Sequence, residues 1–340
     1  MGPTGKSRIL QVHPTRRCNL RCLHCYSSSG PEEKGRLEPD LLRRALTDAS
    51  AEGYTVASFS GGEPLLYEPL REVLEHAHQQ GMLTTVTSNG MLLDDRRIAM
   101  LKGAADLLAI SVDGQPASHN HLRASEHAFE VMESRLEGVR AAGIPFGFIF
   151  TLTRYNVHEL QWVANFAVEQ GARLLQIHPL EEVGRAGERL SGARPNEVSS
   201  TFPLLEGLRI QAISGGKLHV QVDLLDRDVL RANPGLGFAD EYDDETKMPL
   251  GDIVSPLIIE SDGTIVPLQH GFARQYALGN LHQQSLTDAA EDWRRMRLPS
   301  FRSLCRRVFQ ESTVPDTLPF FNWYEAVFQE APQLASPALV

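Results

Sequence analysis

The sequence predicts an α/β protein with a parallel sheet and crossover helices. Short β-like runs alternate with amphipathic helical stretches, strand after strand ends in a glycine-containing turn, and this rhythm breaks after about residue 185. Strand-then-helix repetition with loops at the strand ends marks βα units.

Residues 8–13 (RILQVH) read as the first strand, and the loop after it carries three cysteines. Residues 39–52 have helical spacing, with Leu41, Leu42, Ala45 and Leu46 on one face. Strand 56–59 ends at Ser60-Gly61-Gly62, and helix 69–80 leads into strand 83–87, which ends at Ser88-Asn89-Gly90. Helix 95–102 precedes strand 107–112, which ends at Asp113-Gly114. A helix over 128–142 is closed by Gly143. Strand 146–152, helix 157–170 and strand 174–178 complete six units. A partial (β/α) barrel fits this order, with its chemistry at the carboxyl ends of the strands. An open doubly wound sheet fits the periodicity equally well.

Residues 184–196, rich in Gly, Arg and Ser, read as a loop, followed by a helix at 202–213 and a strand at 218–222. Residues 232–252, with an acidic run at 240–245, read as a solvated loop. Residues 257–267, centred on Asp262-Gly263, carry a hairpin signal. The aromatic segment 319–328 (PFFNWYEAVF) reads as core packing or as a substrate platform.

A chain of 340 residues holds one large domain and a smaller appendage. Its 42% hydrophobic and 22% charged residues give no reason to expect wholesale disorder. The net charge of −10 argues against nucleic acid or an anionic membrane as partner. No apolar run is long enough to span a bilayer, and the opening MGPTGKSRILQV lacks the apolar core of a secretory signal. A cytoplasmic location is the expectation.

Of four cysteines, Cys18, Cys22 and Cys25 stand together as C-x3-C-x2-C, and Cys305 is far away. Disulfide frameworks spread paired cysteines through small secreted chains, so this clustering points to a metal or cluster. Three thiolates can hold three corners of an iron–sulfur cubane and leave one iron without a protein ligand. A small ligand with an amine and a carboxylate can chelate that iron. A three-thiolate zinc site completed by His13, His24 or His178 is the alternative that spacing leaves open.

CNLRCLHCY is followed in order by SGGEP (60–64), TSNG (87–90), ISVDG (110–114) and HPLEEVGRAG (178–187). This series resembles the radical S-adenosylmethionine (SAM) superfamily, and within it the subfamily with SPASM-type C-terminal domains. The resemblance runs from residue 8 to residue 187 and implies a partial (β/α)6 TIM-type barrel. It implies one [4Fe–4S] cluster on Cys18, Cys22 and Cys25, with S-adenosylmethionine as cofactor. An external flavodoxin- or ferredoxin-like protein would donate one electron, and the resulting 5′-deoxyadenosyl radical would abstract a substrate hydrogen. On the same likeness, Gly61, Gly62 and Glu63 meet the methionine amino group, where glycines allow close backbone approach and a carboxylate suits an ammonium. Ser88 and Ser111 would supply polar contacts, Arg123 would meet the cofactor carboxylate, and Leu180 and Val183 would lie on the adenine side. Read without the family, the Asn-Gly and Asp-Gly turns serve the backbone alone, and Arg123 caps a helix or joins a surface pair.

Residues 256–281 resemble the strand pair of a SPASM or twitch domain, but Pro267-Leu268-Gln269-His270 stand where a cysteine normally follows. The expectation is a small α+β twitch-like domain without an auxiliary cluster, a cluster using His270 being the alternative. The chain then divides into a core at 1–187, a connecting segment at 188–252 and the twitch-like part at 253–340. Without an auxiliary electron sink, redox-neutral chemistry is expected: epimerisation, rearrangement or C–C coupling. Cys305 is a candidate hydrogen-atom donor, with a buried structural thiol as the alternative. The expected substrate is a natural-product precursor, either a small molecule or a ribosomal peptide. The opening HPTRRCNLRCLHCYSSS also resembles relatives that modify haem-type tetrapyrroles. A non-enzymatic zinc or iron–sulfur protein of regulation or electron transfer is the competing class.

Overall fold

The computed structural model describes residues 7–240, 248–314 and 319–332. Most of the acidic run at 240–245 lies outside the described residues. The elements follow in chain order as β1 (Ile9–Val12), α1 (Pro39–Ala51), β2 (Val56–Phe59), α2 (Leu70–Gln79), β3 (Leu83–Ser88), α3 (Asp95–Leu101) and β4 (Leu107–Ser111). Next are α4 (Pro116–Arg123), α5 (Ala128–Ala141), β5 (Phe146–Leu152), α6 (Leu160–Gln170), β6 (Leu174–Pro179), α7 (Arg185–Arg189) and α8 (Glu197–Ile213). The rest comprises β7 (His219–Val222), β8 (Leu225–Asp226), α9 (Arg227–Ala232), α10 (Leu250–Ile253), β9 (Leu257–Ile259) and β10 (Thr264–Pro267). The last are β11 (Gly279–Asn280), α11 (Leu286–Met296), α12 (Leu298–Ser312), β12 (Phe320–Phe321) and α13 (Trp323–Glu330).

Strands β1 to β7 pair side by side and all parallel, as the βα reading requires. The periodicity explains the layering. Helix α2 buries Leu70, Val73, Leu74 and Ala77, an i, i+3, i+4, i+7 stripe. Against such stripes lie alternate strand residues, among them Leu10, Val12, Phe59, Val86, Ile110, Phe148, Phe150 and Ile177, all fully buried in one core. Each such side chain contributes about 1.5–3 kcal/mol by leaving water. The opposite face of the same strands is polar. Parallel register aligns Gln11 with Ser58 and Ser58 with Thr85, and farther along Thr151 with His178 and Gln176 with Gln221. Neighbours in register share a face, so the concave side of the sheet is lined with amides and hydroxyls.

The C-terminal hairpin joins this sheet. β9 runs parallel to β1, and β10 and β11 follow antiparallel, giving ten strands in the order β11-β10-β9-β1-β2-β3-β4-β5-β6-β7. Gly263 turns the hairpin at φ +84°, as the Asp-Gly signal predicted. Helices α4, α7, α9, α11 and α12 escape the pattern reading, and α10 starts inside residues 232–252, which read as a solvated loop. Residues 184–196 contain α7, and the turn after β4 continues into α4, whose Pro116 stands in its first turn. The tail forms β12, which pairs with β8, and then α13 with Trp323 buried.

Candidate active site

The cysteine loop leaves β1 and is tied at several points. Cys18 N donates to Gly30 O at 3.0 Å, Leu23 N to Leu122 O at 2.8 Å and Cys25 N to Cys22 O at 3.3 Å. No disulfide forms, and Cys18 and Cys22 pack together with Leu20, Cys25 and Met91 in a small cluster of their own. Each sulfur has a donor close by. Cys18 Sγ lies 3.5 Å from Leu20 N and 3.9 Å from Asn89 Nδ2, Cys22 Sγ 3.9 Å from Arg123 Nη1, and Cys25 Sγ 3.5 Å from Ser27 Oγ. Burial pushes the Cys18 thiol up to about 12 and the Cys22 thiol upward, so a bound cation is what would make these sulfurs thiolates. Three free thiols on one loop, each with a hydrogen-bond donor beside it, fit an iron–sulfur cluster, whose potential such donors tune. Among the described residues, no three His, Cys, Asp or Glu side chains make a ready-made site for one metal ion. The three histidines considered as a fourth ligand to zinc each have a polar neighbour on one ring nitrogen and, among the described residues, no hydrogen bond on the other. His13 lies 2.9 Å from Gln11 Nε2, His24 Nε2 faces Asp113 at 3.7 Å, and His178 Nδ1 meets Asp223 at 3.0 Å.

The Gly61-Gly62-Glu63 turn docks edge-on to this loop. Gly62 N donates to Thr15 O and Glu63 N to Arg17 O, both at 2.9 Å. A Cβ on Gly62 would stand 2.3 Å from Arg17 O, and Gly61 sits at φ +103°, so close approach and backbone conformation both demand glycine here. Glu63 is buried and accepts from Ser88 Oγ at 2.9 Å, Asn89 N at 2.9 Å and Leu65 N at 3.1 Å. Burial raises its carboxyl, and these three donors hold it back. The carboxylate therefore braces the two strand-end turns, and Ser88 is its partner. Strand alternation is the reason: Ser88 shares the buried face of β3 with Val86, away from the polar side. Ser88 thus gives its hydroxyl hydrogen to Glu63. Ser111, in register with Ile149, stands on the polar face at the end of β4.

Arg123 is also committed. Its Nε donates to Asp113 Oδ2 at 2.6 Å while Nη1 reaches the Cys22 sulfur. Asp113 is fully buried and accepts from Thr151 N at 3.3 Å as well. Burial alone would raise this carboxyl, but the Arg123 guanidinium holds it well below the usual carboxylate range. His119, also buried, accepts from Asp113 N at 3.2 Å through Nδ1. Burial lowers its pKa from 6.5 to about 4, so the folded chain keeps this ring neutral where the unfolded chain protonates it. Stability must then fall as the pH drops through 6.5 toward 4, by about 2 kcal/mol between pH 7 and 5. Urea midpoints at the two pH values check this, with His119→Phe expected to shrink the difference by about 2 kcal/mol while buried His13 and His24 keep their own share.

On the far side, Leu180 packs with Ala186 and Ala193, and Val183 is half-buried in the turn before α7. The next two residues were not singled out by sequence reasoning. A Cβ on Gly184 would meet Tyr26 O at 2.2 Å. Arg185 donates from N to Cys25 O at 3.0 Å, from Nη1 to Cys22 O and from Nη2 to Ser29 O, each of the last two at 2.8 Å. It clamps the cysteine loop from behind. The available signal was a Gly-Arg pair opening a segment taken for a loop. Arg185→Ala is expected to lower iron retained per chain about tenfold during dilution, with Arg185→Lys recovering part, as read by iron analysis.

Cys305 stands on α12, fully buried in the main core, and burial pushes its thiol up to about 12. A sealed core position makes it a structural thiol in place of the hydrogen-atom donor considered from sequence. His270 follows β10 and stacks on His13 with ring centroids 5.0 Å apart.

Residues 12–167 match the Radical SAM superfamily. Fe-coproporphyrin III synthase of Methanosarcina barkeri is 27% identical over 188 residues, covering 55% of this chain and 47% of its own length. The AdoMet-dependent heme synthase of the same organism is 29% identical, covering 54% of each chain. The chain thus spans about half the length of the curated relatives it matches. Among solved structures, SuiB of Streptococcus suis bound to S-adenosylmethionine superposes with TM-score 0.67 at 17% identity, covering 87% of this chain and 68% of that one. Native anSMEcpe with bound AdoMet gives TM-score 0.64 at 17% identity, covering 96% of both. At such identity these structures attest the fold.

Proposed function

We propose, from the premise that residues 12–167 are a radical SAM domain, that this chain cleaves S-adenosylmethionine reductively and modifies a natural-product precursor without net oxidation. The observation that carries the reading is the docking of the Gly61-Gly62 turn onto a loop bearing three free thiols, at the carboxyl ends of parallel strands. When bound, the cluster and S-adenosylmethionine together supply a 5′-deoxyadenosyl radical that takes a hydrogen atom from the substrate. Cys18, Cys22 and Cys25 would hold the cluster. Backbone groups of Gly61 and Gly62 would receive the methionine end, Glu63 and Ser88 would keep that turn in place, and Ser111 would face the cofactor. Arg123 would place positive charge beside Cys22 and present its remaining edge to the cofactor carboxylate. Leu180 and Val183 would bound the adenine side. The amide- and hydroxyl-lined concave face would orient a polar substrate and exclude bulk water. Residues 1–187 would form the catalytic core, 188–252 a connection, and 253–340 the wall that completes the substrate side. With a single cysteine beyond the first three, one cluster and redox-neutral chemistry go together, and a flavodoxin- or ferredoxin-like donor would supply the electron.

Anaerobic reconstitution followed by dithionite and S-adenosylmethionine tests the reading: 5′-deoxyadenosine is expected, with roughly four iron atoms per chain. Its absence rejects the reading, and about eight iron atoms reject a single cluster. A tetrapyrrole substrate is the second reading, favoured by the synthases that match the radical SAM half. Consumption of an iron coproporphyrin would establish it.

A further inference from the structure

A radical reaction that consumes S-adenosylmethionine and leaves its substrate unoxidised must return a hydrogen atom to that substrate from another weak bond. Thiols offer one, and here none is left: Cys18, Cys22 and Cys25 would bind iron, and Cys305 is sealed in the core. A phenol O–H is the next to consider, because the radical it leaves is spread over the ring. Tyr26 brings one to the strand ends. It follows Cys25 directly, and its hydroxyl lies 3.2 Å from Ser60 Oγ and 3.3 Å from His13 Nε2. Both neighbours stand on the polar concave side. His13 is two positions beyond Gln11, whose Nε2 it meets at 2.9 Å, and Ser60 is two beyond Ser58, the register partner of Gln11. Because Gln11 Nε2 can only donate, His13 Nε2 accepts and leaves the phenol its hydrogen.

Other tyrosines show the contrast. Tyr54 gives its hydroxyl hydrogen to Val254 O at 2.8 Å and Tyr67 to Leu37 O at 2.9 Å, within the normal range for such bonds. Tyr155 and Tyr324 are exposed, and Tyr276 lies in the core. The two contacts of the Tyr26 hydroxyl are longer than those of Tyr54 and Tyr67, so less holds its hydrogen back. The Tyr26 side chain is half-buried, where Cys305 is sealed. Its ring is nevertheless fixed. Centroids of His13 and His270 lie 5.7 and 5.6 Å from it, and those two rings stack on each other at 5.0 Å. His270 comes from the stretch after β10 that lacks the expected auxiliary-cluster cysteine. The C-terminal part thus contributes a ring that holds the phenol at the strand ends.

We propose that Tyr26 is the hydrogen-atom donor of the reaction, its phenol O–H quenching a carbon radical formed at the strand ends. This rests on the radical SAM reading above, with S-adenosylmethionine consumed in each turnover. The phenol O–H bond breaks homolytically, a C–H bond forms on the radical carbon, and Tyr26 is left as a neutral phenoxyl radical. One electron from the flavodoxin- or ferredoxin-like donor and one proton from water restore the phenol. A turnover then takes two electrons, the first of which cleaves S-adenosylmethionine.

The test follows that hydrogen. Reconstituted full-length chain is given dithionite and S-adenosylmethionine in D2O, with no substrate and no added thiol. The 5′-deoxyadenosyl radical is then itself the carbon radical to be quenched, and the Tyr26 hydroxyl carries deuterium by exchange. Mass spectrometry reads the fraction of 5′-deoxyadenosine that holds a single deuterium. Most of the product is expected to be labelled, with the label lost in Tyr26→Phe, which keeps the ring and its stacking, and unchanged in Cys305→Ala. The fraction is the readout because poor folding or a lost cluster lowers labelled and unlabelled product together. Iron content of Tyr26→Phe should match that of the unaltered chain, since the phenol binds no iron. Unlabelled product from the unaltered chain, label that survives Tyr26→Phe, or label that disappears in Cys305→Ala overturns the assignment while leaving the radical reading intact. Absence of any 5′-deoxyadenosine from the unaltered chain overturns both.

Discussion

Alanine at Cys18, Cys22 or Cys25 is expected to reduce 5′-deoxyadenosine formation to the background of a protein-free assay. Each thiol would supply one corner of the proposed cluster, and no other cysteine is available on that loop to replace it. The nearest remaining groups are two neutral donors, Asn89 beside Cys18 and Ser27 beside Cys25, and the Arg123 guanidinium beside Cys22. None of these can act as a thiolate ligand. Iron content should fall with activity in all three variants. Cys305→Ala is the control, because that thiol sits in the core of α12. It should keep iron and cleavage and lose about 1 kcal/mol of stability in a urea titration. Cleavage persisting in any loop variant would remove the basis of the proposed chemistry.

The second large effect is on stability. Asp113→Ala should cost about 3–5 kcal/mol, because it strands the buried Arg123 guanidinium without its 2.6 Å partner. Asp113→Asn keeps an acceptor for Thr151 N but not the charge, and should fall between the two. Linkage gives the sign with pH. The folded carboxyl is depressed below its ordinary 3.8, so the stabilisation is complete above that value and disappears as the pH falls below it. Denaturant midpoints at neutral pH and in acid measure both effects. Freed from Asp113, Arg123 also loses its fixed position beside Cys22, so iron retention should weaken in the same variants.

The polar and buried faces of the strands were legible because side chains alternate with period two, and helix α2 because its apolar residues recur every three or four positions. Helix α4 was not: its buried His119 and Arg123 are polar and give no apolar stripe, although they build the network behind Cys22. Glu63 and Ser88 were singled out separately, in two different turns, and their bond to each other spans 25 positions that no local spacing encodes. Arg185 lies farther off still, gripping carbonyls 163 and 156 residues back.

By itself, the amino-acid order determined the βα alternation, the three-thiol loop and the glycines that must face it, because each depends on residues close together in the chain. Tertiary structure alone decided that β9 extends the sheet beside β1, that Cys305 is sealed in the core, and that His178 meets Asp223 under the C-terminal segment. Those outcomes are set by which apolar faces cover one another and where buried charges find partners. Such choices are made across the whole fold and leave no mark in any short stretch of sequence.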